Sequence, residues 1–192
     1  MPTILTHAVA GVAIAQALAP CERRSEISLF AAGCAMLPDI DVVGFRFGIR
    51  YGDLLGHRGL THSLLFAALV AATVTLLLRH RDLKGDLRVL ACLFIATASH
   101  GVLDAFTNGG LGVAFFSPFH PARYFFWVRP ILVSPLDLSA FATRRGALVL
   151  ASEMEWVWMP AFALFIAARL FRCRKEPEIG YNASNPSRRP GA

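Results

Sequence analysis

From residue 63 to residue 78 the chain carries no charged side chain, and His57 and His62 stand at the mouth of that stretch. In hydrocarbon every backbone N–H and C=O must be satisfied from within the segment, which a helix does. Imidazole is costly at membrane depth unless it meets a partner or a bound ion, so histidines placed there point to function.

The composition agrees with a membrane location. Of the 192 residues 55% are hydrophobic and only 17% charged, with a mean hydropathy of +0.52, against about 25% charged in a soluble domain. The net charge of +6 and pI of about 9.7 do not point to nucleic acid, because many basic residues adjoin apolar runs, where they set membrane orientation. Cys21, Cys34, Cys92 and Cys173 form no CxxC pair and read as structural filler. Ala17-Leu18-Ala19 resembles a signal-peptide cleavage site. However, the first residues carry no Lys or Arg and Pro20 follows, so residues 3–19 are expected to be a retained helix.

Five apolar segments are expected to be helical: residues 3–19, 27–37 with a possible extension through 45, 60–78, 87–106 and 146–171. The chain is thus predicted to be an all-α, polytopic membrane bundle of about five helices, with its domain over residues 1–172 and a polar, disordered tail over 173–192. Pro38 is expected to end the second helix, with Asp39 and Asp41 in a loop beyond it. Prolines 118, 121, 130 and 135 exclude one long helix from the aromatic-rich stretch 107–145, which suits an interfacial belt.

Arg23 and Arg24, the run RHRDLKGDLR at 79–88, and Arg169, Arg172, Arg174 and Lys175 fall on one side if all five segments cross. The positive-inside rule makes that side, and the C-terminus, cytoplasmic. Arg144 and Arg145 oppose this orientation but are outnumbered. His7, Asp39, Asp41, His57, His62, His100, Asp104, Glu153 and Glu155 then gather at the opposite, non-cytoplasmic face. At 1.5 Å per residue, His100 lies about 18 Å along its helix from Arg88, and Glu153 about 27 Å from Phe171.

Taken singly, each group has an ordinary explanation as an interfacial residue, a cap, a turn or a hydrogen-bonded pair. Their convergence does not. His100 and Asp104 are i and i+4 on one helix face. His57 and His62 suit one residue before a helix and one in its first turn, with Gly59 letting the backbone turn between them. Mixed imidazole and carboxylate ligation suits Zn, Mn or Fe, and the number of ligands allows one or two ions.

LPDID at 37–41, HRGLTHS at 57–63 and SHGVLDAFTNGG at 99–110, in this order, resemble the YdjM family of bacterial inner-membrane proteins, predicted metal-dependent hydrolases that are in part regulated by LexA. Thr6-His7 matches the family's early histidine. FFSPF, SPLD and SEMEW followed by Pro160 are similar to its C-terminal half. The resemblance implies metal roles for His7, Asp39, Asp41, His57, His62, His100 and Asp104. A more distant likeness to the all-helical zinc-dependent phospholipase C type nominates Glu153 as a further ligand.

The expected function is a membrane-bound hydrolase holding one or two divalent ions, zinc first, which lower the pKa of water to about 7. Asp39 or Asp41 would act as general base or complete a second ion site. Arg58 would neutralise an anionic group of a phosphoester or lipid substrate, or else meet lipid headgroups. The rival expectation is a metal-ion transporter or metal-binding membrane protein, since intramembrane His and Asp also mark ion paths. A membrane scaffold is the third.

Overall fold

In the computed structural model, residues 1–79, 83–135 and 138–171 are described. His80, the middle of the basic loop and the tail from 172 onward lie outside these residues. The chain is an all-α helical bundle. Among the described residues there is no β-strand, only the isolated bridges Thr107–Ile131 and Val113–Tyr124. The α-helices are α1 (Ile4–Leu18), α2 (Arg24–Met36), α3 (Leu64–Leu77), α4 (Leu83–Ala105), α5 (Leu138–Phe141), α6 (Arg144–Glu153) and α7 (Met159–Phe171).

Among the described residues, three continuous helical stretches are long and apolar enough to cross a membrane: Cys21–Phe47, Gly85–Ala105 and Arg144–Phe171. The helices α1 and α3 are apolar but shorter. With 14 residues, α3 rises about 21 Å, less than a ~30 Å hydrocarbon core.

The helix α4 packs on α1, α2 and α3, while α7 leans on α1. The contacts use small side chains, as membrane helices do when they pack by close approach. Ala15, Ala31, Ala71, Cys92, Leu93 and Ala96 are buried at one such junction. The tightest crossing is at Gly11, where a Cβ would lie 2.5 Å from the Ala31 carbonyl oxygen.

Three local expectations are corrected. Pro38 does not end helical structure: α2 stops at Met36, and an unusually long 3-10 helix continues over Leu37–Phe47. Proline is tolerated in a first turn, where its missing N–H would have no intrahelical partner. Asp39 and Asp41 therefore sit on a helix and not in a loop. Three residues per turn bring Leu37, Ile40 and Val43 onto one exposed edge. Asp39 and Asp41 are buried.

Secondly, the turn between His57 and His62 is made by Arg58, whose φ is +62°. Gly59 matters for space, since a Cβ there would lie 2.4 Å from the Leu54 carbonyl oxygen. Thirdly, His62 ends a 3-10 turn before α3, which is capped by the Ser63 hydroxyl accepting from the Phe66 N–H. The last apolar segment is one continuous helix, as expected, with a π segment, Met154–Trp158, between α6 and α7.

The non-helical 107–131 stretch folds back over the end of the bundle where α4 stops. Its backbone is tied to the loop before α3 through Ala114 N–H to Arg58 O (3.0 Å), and to α3 through Leu64 N–H to Phe115 O (2.9 Å).

Candidate metal centre

Four pieces of chain meet at that end: the first turns of α1, the 3-10 helix, the His57–His62 turn and the last turns of α4. They bring together His7, Asp39, Asp41, His57, His62, His100 and Asp104, all buried. Among the described residues, three overlapping groups have ligand atoms within 4.8 Å of one another: His7, Asp39 and His100; Asp39, His57 and His62; and His62, His100 and Asp104. Asp41 and Glu153 belong to none of them.

The atoms divide into two classes. One class makes no well-formed hydrogen bond and is held by ion-pair contacts alone or by none: both ring nitrogens of His7, both carboxylate oxygens of Asp39 and of Asp104, and Nε2 of His62 and of His100. Each such buried atom costs roughly 1–3 kcal/mol, so a fold that collects so many leaves them to be satisfied together. They face one another. His100 Nε2 is 3.2 Å from Asp39 Oδ1, and His62 Nε2 is 3.3 Å from Asp104 Oδ2. His62 Nε2 to Asp39 Oδ1 and His7 Nε2 to Asp104 Oδ1 are both 3.7 Å. Ligands 2.0–2.2 Å from a tetrahedral ion stand about 3.3–3.6 Å apart, so this donor set fits a divalent metal.

The other class holds the first in place. Nδ1 of His100 lies 2.6 Å from the Ala35 carbonyl oxygen, which fixes the tautomer and turns Nε2 to the cluster. The Asp41 carboxylate is saturated. One oxygen meets His57 Nδ1 at 2.7 Å. The other accepts from the Thr61 hydroxyl (2.6 Å) and the Arg58 N–H (3.2 Å) and lies 3.2 Å from His62 Nδ1. Of the two neighbouring aspartates, Asp39 thus offers free oxygens, and Asp41 orients two imidazoles.

The expectation that Arg58 greets a substrate anion is corrected. The guanidinium is fully buried. Its Nε lies 2.9 Å from Asp104 Oδ2, and it donates to the Gly109 carbonyl (2.9 Å) and the Thr107 hydroxyl (3.0 Å). The left-handed backbone at Arg58 directs the side chain inward. Gly110, with φ of +91°, leaves room for it: a Cβ there would lie 2.8 Å from Arg58 Nη1. Thr107, expected only as part of a helix stop, is a partner of this buried arginine.

Glu153 is fully buried but otherwise engaged. Its Oε1 accepts from the Thr3 N–H, and its Oε2 from the Thr3 and Thr6 hydroxyls, each at 2.6 Å. Glu155 is exposed. Thr6 and Thr61 stand out in the sequence only as parts of Thr6-His7 and HRGLTHS, and Thr3 not at all, because a lone threonine gives no spacing signal.

Burial alone would lower the His62 pKa. Asp104, Asp39 and Asp41, which contact its two ring nitrogens, instead raise it to about 10. Over the cluster, Tyr51 packs edge-on to His57, with ring centroids 5.2 Å apart. Arg123 donates to the carbonyls of His57 (3.0 Å) and Tyr51 (3.2 Å). Burial raises the Tyr51 pKa and lowers that of Arg123.

Residues 1–175 match the model of a family described as YdjM inner membrane protein. The chain is 38% identical over 164 residues to the inner membrane protein YbcI of Escherichia coli (strain K12), covering 85% of this chain and 95% of that protein. It is 29% identical over 119 residues to the uncharacterized protein YvsG of Bacillus subtilis (strain 168), covering 57% and 71%. No solved structure matches the chain significantly.

Proposed function

The chain belongs to the YdjM family of inner membrane proteins, and we propose that it is a membrane-bound hydrolase working with one or two divalent ions, zinc foremost. One observation carries this reading: the unpartnered, buried nitrogens and oxygens of His7, Asp39, His62, His100 and Asp104 converge at ligand-to-ligand distances. The donors mix imidazole nitrogens with carboxylate oxygens, the set that suits Zn, Mn or Fe. Such an ion would supply Lewis acidity and a water acidic enough to react at neutral pH.

The protein's own residues divide the remaining work. Asp39, His62, His100 and Asp104, with His7, would hold the metal. Asp41 keeps the His57 and His62 rings turned inward. Asp41 accepts too many hydrogen bonds to serve well as a base, so the proton falls to His57, whose Nδ1 is paired with Asp41. Arg58 holds Asp104.

The substrate would be a phosphoester, and a membrane lipid fits best. The 3-10 helix bearing Asp39 and Asp41 presents Leu37, Ile40 and Val43 outward, so apolar surface lies one helix thickness from the carboxylates. We place the site towards the non-cytoplasmic face, because the basic loop at 79–88 leads into the opposite end of α4.

The test is metal analysis of purified protein with release of glycerol phosphate from phosphatidylglycerol vesicles. Near-stoichiometric metal, lost in the double variant His62→Ala/His100→Ala, together with metal-dependent release, is the expected result. Metal content unchanged in that variant removes the centre. Bound metal without hydrolysis, but with ion flux into vesicles, would make the protein a transporter.

A further inference from the structure

Every histidine of the centre but one is aimed by a hydrogen bond to its own ring. His57 uses Asp41, His62 uses the Thr61 hydroxyl beside Asp41, and His100 uses the Ala35 carbonyl. His7 has none: both its ring nitrogens are buried and without a partner. Its ring is stacked on that of His100, with centroids 3.6 Å apart and planes 11° from parallel. A metal-holding histidine ordinarily donates its second N–H to a carboxylate, carbonyl or water. Apart from this stacking, His7 is placed through its backbone.

The residue before it supplies the means. The Thr6 hydroxyl donates to Glu153 Oε2 at 2.6 Å and accepts from the Trp158 indole N–H at 2.7 Å. Glu153 also takes the N–H and hydroxyl of Thr3, the N-cap residue of α1, whose own side chain caps nothing. A carboxylate at a helix N-terminus satisfies donors that have no intrahelical partner and suits the positive end of the helix dipole.

Glu153 and Trp158 are five residues apart. In an α-helix their side chains would point about 140° from one another. The intervening segment Met154–Trp158 is π-helical. Its i→i+5 repeat returns to the same face after five residues. That winding lets both side chains reach one threonine.

We propose that Glu153 and Trp158, brought onto one face by the π segment, clamp the first turn of α1 and thereby position His7 for the metal. Glu153 is then a positioning residue and not a ligand. This rests on the metal reading above.

The test measures Zn2+ affinity of the full chain in detergent by chelator competition. Amide hydrogen exchange of the peptide covering residues 3–10 is followed in metal-free protein. Glu153→Ala is expected to weaken Zn2+ binding about 10- to 100-fold, the usual effect of removing such a support. Thr6→Val should weaken it in the same direction and Glu153→Gln less. Combining Glu153→Ala with His7→Ala should weaken it no further than His7→Ala alone. Exchange should speed up in Glu153→Ala and stay unchanged in His7→Ala.

Full additivity of Glu153→Ala and His7→Ala, or wild-type Zn2+ affinity in Glu153→Ala, overturns the clamp. Unchanged exchange in Glu153→Ala overturns it as well, whatever the metal result. Wild-type protein that binds Zn2+ no better than His62→Ala/His100→Ala fails the metal reading itself, and the positioning role falls with it.

Discussion

The Arg58 guanidinium lies 2.9 Å from the Asp104 carboxylate, and neither side chain is exposed. Removing one partner of such a pair strands a charge in the interior and costs about 3–5 kcal/mol. Arg58→Ala is therefore expected to lower thermal stability in detergent strongly. Arg58→Lys keeps the charge but loses the fork that also reaches Gly109 and Thr107, and should fall between. An Arg58→Ala variant as stable as wild type would refute the buried pairing.

Asp39 and Asp41 should part company when each is changed to asparagine. Asp39 has unpartnered oxygens, and Asp39→Asn should abolish metal at its position. Asp41 supports two imidazoles, so Asp41→Asn should retain metal with roughly 10- to 100-fold weaker affinity. Titration with Zn2+ against a chelator distinguishes them, and equal losses would contradict the division of roles.

Metal-free protein should lose stability as the pH rises from 8 to 10. The His62 pKa is 6.5 when unperturbed and about 10 in the fold. The stabilisation is complete below pH 6.5 and is lost progressively as pH climbs towards 10. Burial lowers the Met1 amino group from 8.0 to about 6, which offsets this loss between pH 6 and 8, so thermal unfolding of apo protein from pH 8 to 10 should show a falling midpoint, and His62→Gln should flatten the slope. A midpoint that rises over this range in wild type would contradict the prediction.

Gly11→Val should separate α1 from α2, because even a Cβ would meet the Ala31 carbonyl at 2.5 Å and backbone cannot yield as a side chain does. As His7 lies one turn earlier on the same helix, metal affinity should fall along with stability. Unaltered melting and metal content would show that the crossing is looser than described.

Reporter fusions at residues 83 and 175 are expected to signal cytoplasm. A periplasmic signal at both would invert the orientation and move the centre to the cytoplasmic side.

The convergence of His7, Asp39, His62, His100 and Asp104 was legible in the sequence, because alternating crossings of apolar helices carry polar residues to defined ends. The roles within the cluster were not. Asp39 and Asp41 look alike in LPDID, and only the three-dimensional positions of Thr61, His57 and His62 show that Asp41 is the saturated one. Arg58 beside His57 read as a hand for substrate. Its inward direction follows from a left-handed φ that no residue-type rule assigns to arginine. Glu153 stands in the sequence only as a candidate ligand of the last apolar segment, and its partners are threonines of the first helix. The π segment has no local signature: its sequence is as helical as its neighbours, and tertiary contacts decide the extra residue in the turn.

The 3-10 run over Leu37–Phe47 has a mechanical consequence. Each residue there advances about 120° around the axis, against about 100° in an α-helix. Between Leu37 and Asp41 the difference amounts to about 80°. Relaxation to α winding would thus swing Asp41 off its two imidazoles by nearly a quarter turn. The torsion of this short stretch and the aim of His57 and His62 form one linked degree of freedom, so whatever tightens either tightens both.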